Sequence, residues 1–202
     1  AAIAEQLRRF VFRRKVVVSH ADTLSVNAAL QAPTEADGAR IARRDGDVVE
    51  LDVGSLALPR TLLLGPATAA ATPGEELAWR QSDLRFGLPR LVDAQREQWT
   101  PQQLGLDRLA AYSVKKGCYP GQEIVARTHF LGKAKRSLAL LHTVATPEAG
   151  TAVSQNGATI GSVASSAGVL ALAVLPLEMA EGPLQVLDAD AHIMPLLDGL
   201  AR

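Results

Sequence analysis

The stretch AVSQNGATIGSVAS, Ala152 to Ser165, sets the dipeptide Asn156–Gly157 between two runs of small and β-branched residues. Asn and Gly accept positive φ at little cost, and the two-residue turn that needs positive φ at both positions matches the twist of paired antiparallel strands. The stretch therefore predicts a hairpin. Beyond it, GVLALAVLP (Gly168 to Pro176) and PLQVLD (Pro183 to Asp188) are short apolar runs bounded by glycine or proline, and each reads as a further strand. Strands this short, separated by turns at this spacing, fit a small closed or nearly closed β-barrel over residues 134–202.

Upstream the texture differs. In residues 39–65, ARIARRDGDVVELDVGSLALPRTLLLG, the Asp45–Gly46 pair closes a hairpin between strand-like flanks, and a third strand is expected at Leu62 to Leu64. GPATAAATPGEE (65–76) reads as a surface loop, and ELAWRQSDLRFGLPRLV (76–92) as a largely helical passage. Nearer the start, Ile3, Leu7, Phe10 and Val11 recur at helical spacing, KVVVS (15–19) has the β-branched content of a strand, and Asp22 is placed to cap a helix over DTLSVNAAL. Helices interleaved with hairpins predict an α+β fold: an antiparallel sheet domain with packed helices over residues 1–133, followed by the barrel. The chain opens without methionine and already in helical rhythm, as the inside of a domain would.

Composition narrows the function classes. The chain has 202 residues, 48% of them hydrophobic, enough to bury a core, and its 21 basic residues balance 21 acidic ones. No global field draws it to nucleic acid or to an anionic surface. RRFVFRRK (8–15) is read as a buried helix edge with solvated arginines rather than a nucleic-acid patch, so no direct nucleic-acid binding is expected. The longest apolar-looking stretch, 162–180, is broken by Ser, Gly, Pro and Glu, and no membrane span is expected. His20, His129, His142 and His192 are scattered without ligand spacing, so no metal site is expected either. A single cysteine forms no intrachain disulfide, and the reducing cytoplasm is the expected location.

That cysteine sits in SVKKGCYPGQEIVAR, Ser113 to Arg127. Tyr119, Pro120, Gly121 and Gln122 match a type II turn, in which proline presets one backbone angle and glycine takes the positive one. The following residues predict a helix with Glu123 in its first turn, where the helix dipole favours a carboxylate. Gly117 lets the backbone approach a neighbour closely. Cys118 is thus placed on a loop beside a helix start with Lys115 and Lys116 nearby, and each of these features stabilises a thiolate. A lone cysteine is otherwise most often a small buried hydrophobe. Two cations and a turn favour the reactive reading, although residue types alone leave the reaction open. The thiolate can ligate iron transiently, attack a one-carbon unit, or be reversibly oxidised.

KGCYPGQE, Lys116 to Glu123, resembles the signature octapeptide of the YgfZ-type folate-binding proteins, relatives of the glycine-cleavage aminomethyltransferase. The likeness extends through DLRFGLPRL (83–91), TPQQLGL (100–106) and VARTHFLGKAKRSL (125–138). The resemblance implies a protein dependent on tetrahydrofolate or a derivative that supports iron–sulfur cluster assembly or repair in client enzymes, including ones that modify tRNA. It implies Cys118 and Lys116 as the functional pair, with Gly117, Tyr119, Gly121, Gln122 and Glu123 shaping the signature loop. The implied partners are folate and iron–sulfur client proteins or cluster carriers, since one thiol per chain cannot hold a cluster alone. A folate-dependent aminomethyl or one-carbon transferase is the alternative, and the accessory role is preferred to that of a classical enzyme.

Folate is flat and aromatic with an acidic tail, so it needs an apolar slot with cations at its mouth. Arg85, Arg127 and Trp79 are the cofactor-binding candidates, and Trp99 and Arg80 are further available groups. Arg85 lies at a position that looks shared with the aminomethyltransferases. The chain departs from the family in two places: the amino-terminal segment that contributes much of the folate cavity has no counterpart here, and Leu131 stands where an arginine is common.

Overall fold

The structure, a computed structural model, describes residues 2–11, 15–115, 121–132 and 134–200. Contact density divides the chain into two compact units. One takes residues 1–52 and 60–70, the other residues 53–59 and 71–202.

The first unit begins with helix α1 (Ala2–Arg8), shorter than the apolar rhythm suggested. Ile3, Leu7 and Phe10 are 73%, 50% and 59% exposed, so the expected buried edge is not formed among the described residues of this segment. Residues 15–19 form no strand: Val17 is 92% exposed. β-branched residues favour a strand only where a neighbouring strand supplies pairing and cover, and here none does. The helix expected after Asp22 is instead strand β1 (Ser25–Ala29), whose burial alternates residue by residue. Asp22 accepts from His20 Nδ1 at 2.5 Å rather than capping a helix. The strand wins because Ser25–Ala29 pairs along its whole length with β4 (Thr61–Gly65), from Ser25 opposite Gly65 to Ala29 opposite Thr61. The expected hairpin forms: β2 (Ala42–Arg44) and β3 (Val48–Asp52) are antiparallel, and Gly46 at φ +74° makes the turn. The sheet order is β1-β4-β3-β2.

Within this sheet Glu50 is 1% exposed, and its carboxylate gathers the backbone of the preceding loop. It accepts from the amides of Thr34 (3.1 Å), Glu35 (2.7 Å) and Ala36 (2.9 Å), from the Thr34 hydroxyl (2.9 Å), and from Arg44 Nη1 (3.2 Å). Buried charge is tolerated when its lone pairs are filled in this way.

The second unit contains helix α2 (Pro73–Arg85), so the predicted loop ends at Thr72. Thr72 caps the helix: its hydroxyl accepts from the Glu75 amide at 3.2 Å, while Glu75 Oε2 accepts from the Thr72 amide at 2.7 Å. Pro73, directly after the cap, fits where a helix lacks use for an N–H. The helix stops at Arg85, and the remainder of the predicted helical passage, 86–92, is irregular. Gly87 at φ +70° and Pro89 explain the stop.

Helix α3 (Gln122–Leu131) leads to the barrel: β5 (Arg136–His142), β6 (Ala152–Gln155), β7 (Ala158–Ala167), β8 (Leu170–Pro176), β9 (Leu184–Val186) and β10 (Ala189–Met194). The ring closes in the order β10-β5-β8-β7-β6-β9. Asn156 (φ +52°) and Gly157 (φ +77°) make the β6–β7 turn as the sequence requires.

Alternation splits the barrel residues into two clusters. Leu141, Val153, Val163, Ala171, Ala173, Leu175, Leu184, Val186 and Ala191, drawn from all six strands, fill the interior. Leu138, Leu140, Leu170, Leu172 and Val174 point outward and are covered by Leu84 of α2 and by Leu104, with Trp99, Leu106 and Leu196 against them. Strand β8 is buried on both faces, which explains its unbroken apolar run. Each fully covered leucine contributes about 2 kcal/mol. The texture change at residue 134 thus marks the start of the barrel strands, while packing joins α2 to the same unit.

Candidate functional site

Lys116, Gly117, Cys118, Tyr119 and Pro120 lie outside the described residues, so the site is built from what flanks them. On the downstream side Gly121 has φ +83° and ψ −4°, the backbone that the third position of a type II turn demands. It is also the residue preceding the first turn of α3, and Glu123 sits in that turn, exposed to solvent. In sequence, the helix start at Gln122 lies four residues after Cys118.

On the upstream side the Lys115 amide donates to Ser113 Oγ at 3.2 Å, a local turn that shapes the approach to the loop. Lys115 itself is exposed and lines a cleft of about 610 Å³. Among the described residues, the walls include Gln102, Asp107, Tyr112, His129 and Arg136. These come from the turn-rich segment 100–112, the carboxy-terminal half of α3 and the start of β5. Arg136 is held by a bond from Nη1 to the Ile160 carbonyl (2.5 Å). Gln102 Nε2 donates to the Val125 carbonyl of α3 at 2.9 Å, whereas Gln102 Oε1 is buried and has no hydrogen-bond partner among the described residues.

None of the cofactor candidates named from sequence lines this cleft. Arg85 is exposed at the last turn of α2, where its charge complements the helix dipole, and its carbonyl accepts from the Leu197 amide at 2.8 Å. Trp79 is half-buried on the same helix, and its carbonyl accepts from Ser82 Oγ at 2.6 Å. Arg127 is exposed on α3, next to cleft residues Thr128 and His129. Trp99 packs against the core, and Arg80 pairs with Glu76 at 3.7 Å. Arg80 also borders a second cavity of about 370 Å³, where Asp83 holds Arg90 at 2.9 Å.

Sequence reading missed Gln102 and Arg136 as site residues. Both lie inside stretches that carry the family likeness, but only the fold brings them to one cleft. Among the described residues no group of three His, Cys, Asp or Glu is placed to hold a metal ion, and no helix is long and apolar enough to cross a membrane.

A helix that begins directly after Gly121 leads into a closed six-stranded carboxy-terminal barrel. Residues 134–196 match the CAF17 carboxy-terminal beta-barrel domain. Over 122 residues the chain is 37% identical to the tRNA-modifying protein YgfZ of Aliivibrio fischeri (strain MJ11), a match that takes in 55% of this chain and 38% of that relative. The chain is similar to YgfZ/CAF17 proteins over these residues, and it spans well under half the length of that relative.

Proposed function

We propose that the chain is a tetrahydrofolate-binding accessory protein that supports iron–sulfur cluster assembly or repair in client enzymes, tRNA-modifying ones among them. Cys118 is the reactive thiol and Lys116 its cationic neighbour. The observation that carries this reading is the cleft of about 610 Å³ beginning at Lys115, one residue before the signature octapeptide. Its size falls in the range of small-molecule sites, about 300–1,000 Å³. Its residues fit an acidic, partly apolar ligand: Lys115 and Arg136 supply cations, Tyr112 an aromatic ring, and Leu177 an apolar wall.

Within this proposal Gly121 keeps the turn tight, and the start of α3 favours a thiolate on the loop before it. Lys115 and Arg136 hold the ligand's acidic end. The chemistry suits a reducing compartment, which we take to be the cytoplasm.

The test supplies Cys118→Ala in place of the native copy in cells and measures the activity of a cluster-dependent tRNA-modifying enzyme. A loss of activity with unchanged protein level is the expected result. Full activity would make the thiol a structural residue. Calorimetry with tetrahydrofolate on the same chain tests the ligand directly.

A further inference from the structure

The second cavity, of about 370 Å³, shares no lining residue with the cleft and lies wholly within the second unit. Strand register sets its polar side. Along β7, Val163 pairs with Ala173, the register then shifts, and Ser165 pairs with Leu172. Ala164 and Leu172 belong to the outer cluster of the barrel, so Ala164 and Ser165 face outward in succession. A bulge re-aims a side chain in this way, and here it turns Ser165 from the barrel interior to the cavity. Ser165 is 7% exposed; its Oγ accepts from the Arg90 amide at 3.2 Å, and its hydroxyl proton has no acceptor among the described residues. Arg90 supplies further donors. Asp83 Oδ2 accepts from its Nε (3.2 Å) and Nη2 (2.9 Å), which engages one edge of the planar guanidinium. Nη1, on the other edge, makes no hydrogen bond among the described residues. Arg80 also lines the cavity, and its pair with Glu76, 3.7 Å apart with both side chains more than half exposed, neutralises little. Leu84, Leu88 and Val92 supply an apolar wall.

We propose that this cavity binds a small monocarboxylate with an apolar body, a ligand separate from that of the cleft. The edge of Arg90 that Asp83 does not use matches the two oxygens of a carboxylate, a fork that a guanidinium forms and an ammonium does not. The Ser165 hydroxyl donates to the same group, and Arg80 adds charge at the exposed rim. Leu84, Leu88 and Val92 cover the body. Asp83 is the positioning residue: the guanidinium it holds keeps one orientation, so little side-chain freedom is left to lose on binding. A phosphate fits less well, because it sets charge against the leucines without burying apolar surface there. This goes beyond the reading of the cleft and does not depend on it.

The experiment titrates the 202-residue chain, carrying labelled Leu and Val methyls, with benzoate, benzamide and inorganic phosphate, and reads the NMR shifts of Leu84, Leu88 and Val92. Tetrahydrofolate is titrated alongside. Benzoate is expected to move these methyls with a millimolar dissociation constant, and benzamide, which keeps the ring and loses the charge, to bind about tenfold more weakly. Arg90→Gln is expected to weaken benzoate about tenfold, the scale of one charge-assisted hydrogen bond, and Arg80→Gln, at an exposed position, about twofold. The contrast between benzoate and benzamide is read on the wild type, so it stands whatever Arg90→Gln does to the fold. Absence of benzoate shifts at these methyls, equal binding of benzamide, phosphate binding as tightly as benzoate, or unchanged benzoate affinity in both variants overturns the proposal. Tetrahydrofolate moving the same three residues would make the cavity part of a folate site, which overturns the proposal and leaves the folate reading standing.

Discussion

Thr34 and Glu50 are joined twice, through the Thr34 amide at 3.1 Å and its hydroxyl at 2.9 Å, both donating to one carboxylate oxygen. Burial works to raise the pKa of this carboxyl. The hydrogen bonds from the backbone of Ala36, Glu35 and Thr34, and from the Thr34 hydroxyl, outweigh it and bring the value from 4.5 to about 2. A depressed folded value means that the stabilisation is complete above the unfolded value of 4.5 and is lost as pH falls toward about 2. Glu50→Gln is therefore expected to lower the melting temperature at neutral pH, with the gap from wild type closing between those two values. Thermal unfolding followed by circular dichroism across that window decides it, and a gap independent of pH would show that ionisation is not what holds the loop.

Thr72→Ala removes the cap of α2 and leaves the Glu75 amide without its side-chain acceptor. The expected cost is about 1 kcal/mol. Urea denaturation should show a lower midpoint with an unchanged slope.

Gly161 lies where β7 crosses β8, and a Cβ built there meets the Val174 carbonyl and stands 2.7 Å from Leu175 Cδ2. Backbone cannot move aside as a side chain can. Gly161→Ala is expected to destabilise the barrel by about 2 kcal/mol or more, readable by the same denaturation experiment.

At Gly121 nothing among the described residues lies within 4 Å of an added Cβ, and backbone strain at φ +83° opposes a side chain. Gly121→Ala is expected to cost about 1–2 kcal/mol and to change the alkylation rate of Cys118 by shifting the turn. An unaltered rate would separate the turn from the thiol.

The barrel was legible because its signals are local: Asn156–Gly157 needs only its own backbone preference, and the run from Leu170 to Leu175 announces burial on both faces. The early segment was misread because its apolar spacing has no packing partner at Ile3 or Phe10, and because the fate of Ser25–Ala29 depends on Thr61–Gly65, far along the chain. The positive φ at Gly121 and the helix after it followed from residue types. The cleft did not, since Gln102 meets Val125 across 23 positions and Arg136 arrives from the barrel. Glu50 was equally hidden, because all its donors except Arg44 lie 14 to 16 residues before it.

Ring closure of β9 against β10 leaves the barrel with every strand flanked on both sides, so no backbone row there is free to recruit a foreign strand. The four-stranded sheet ends instead at β1 and β2. Among the described residues, self-association through strand addition, including misassembly during heating or overexpression, finds its open backbone rows at those two rims.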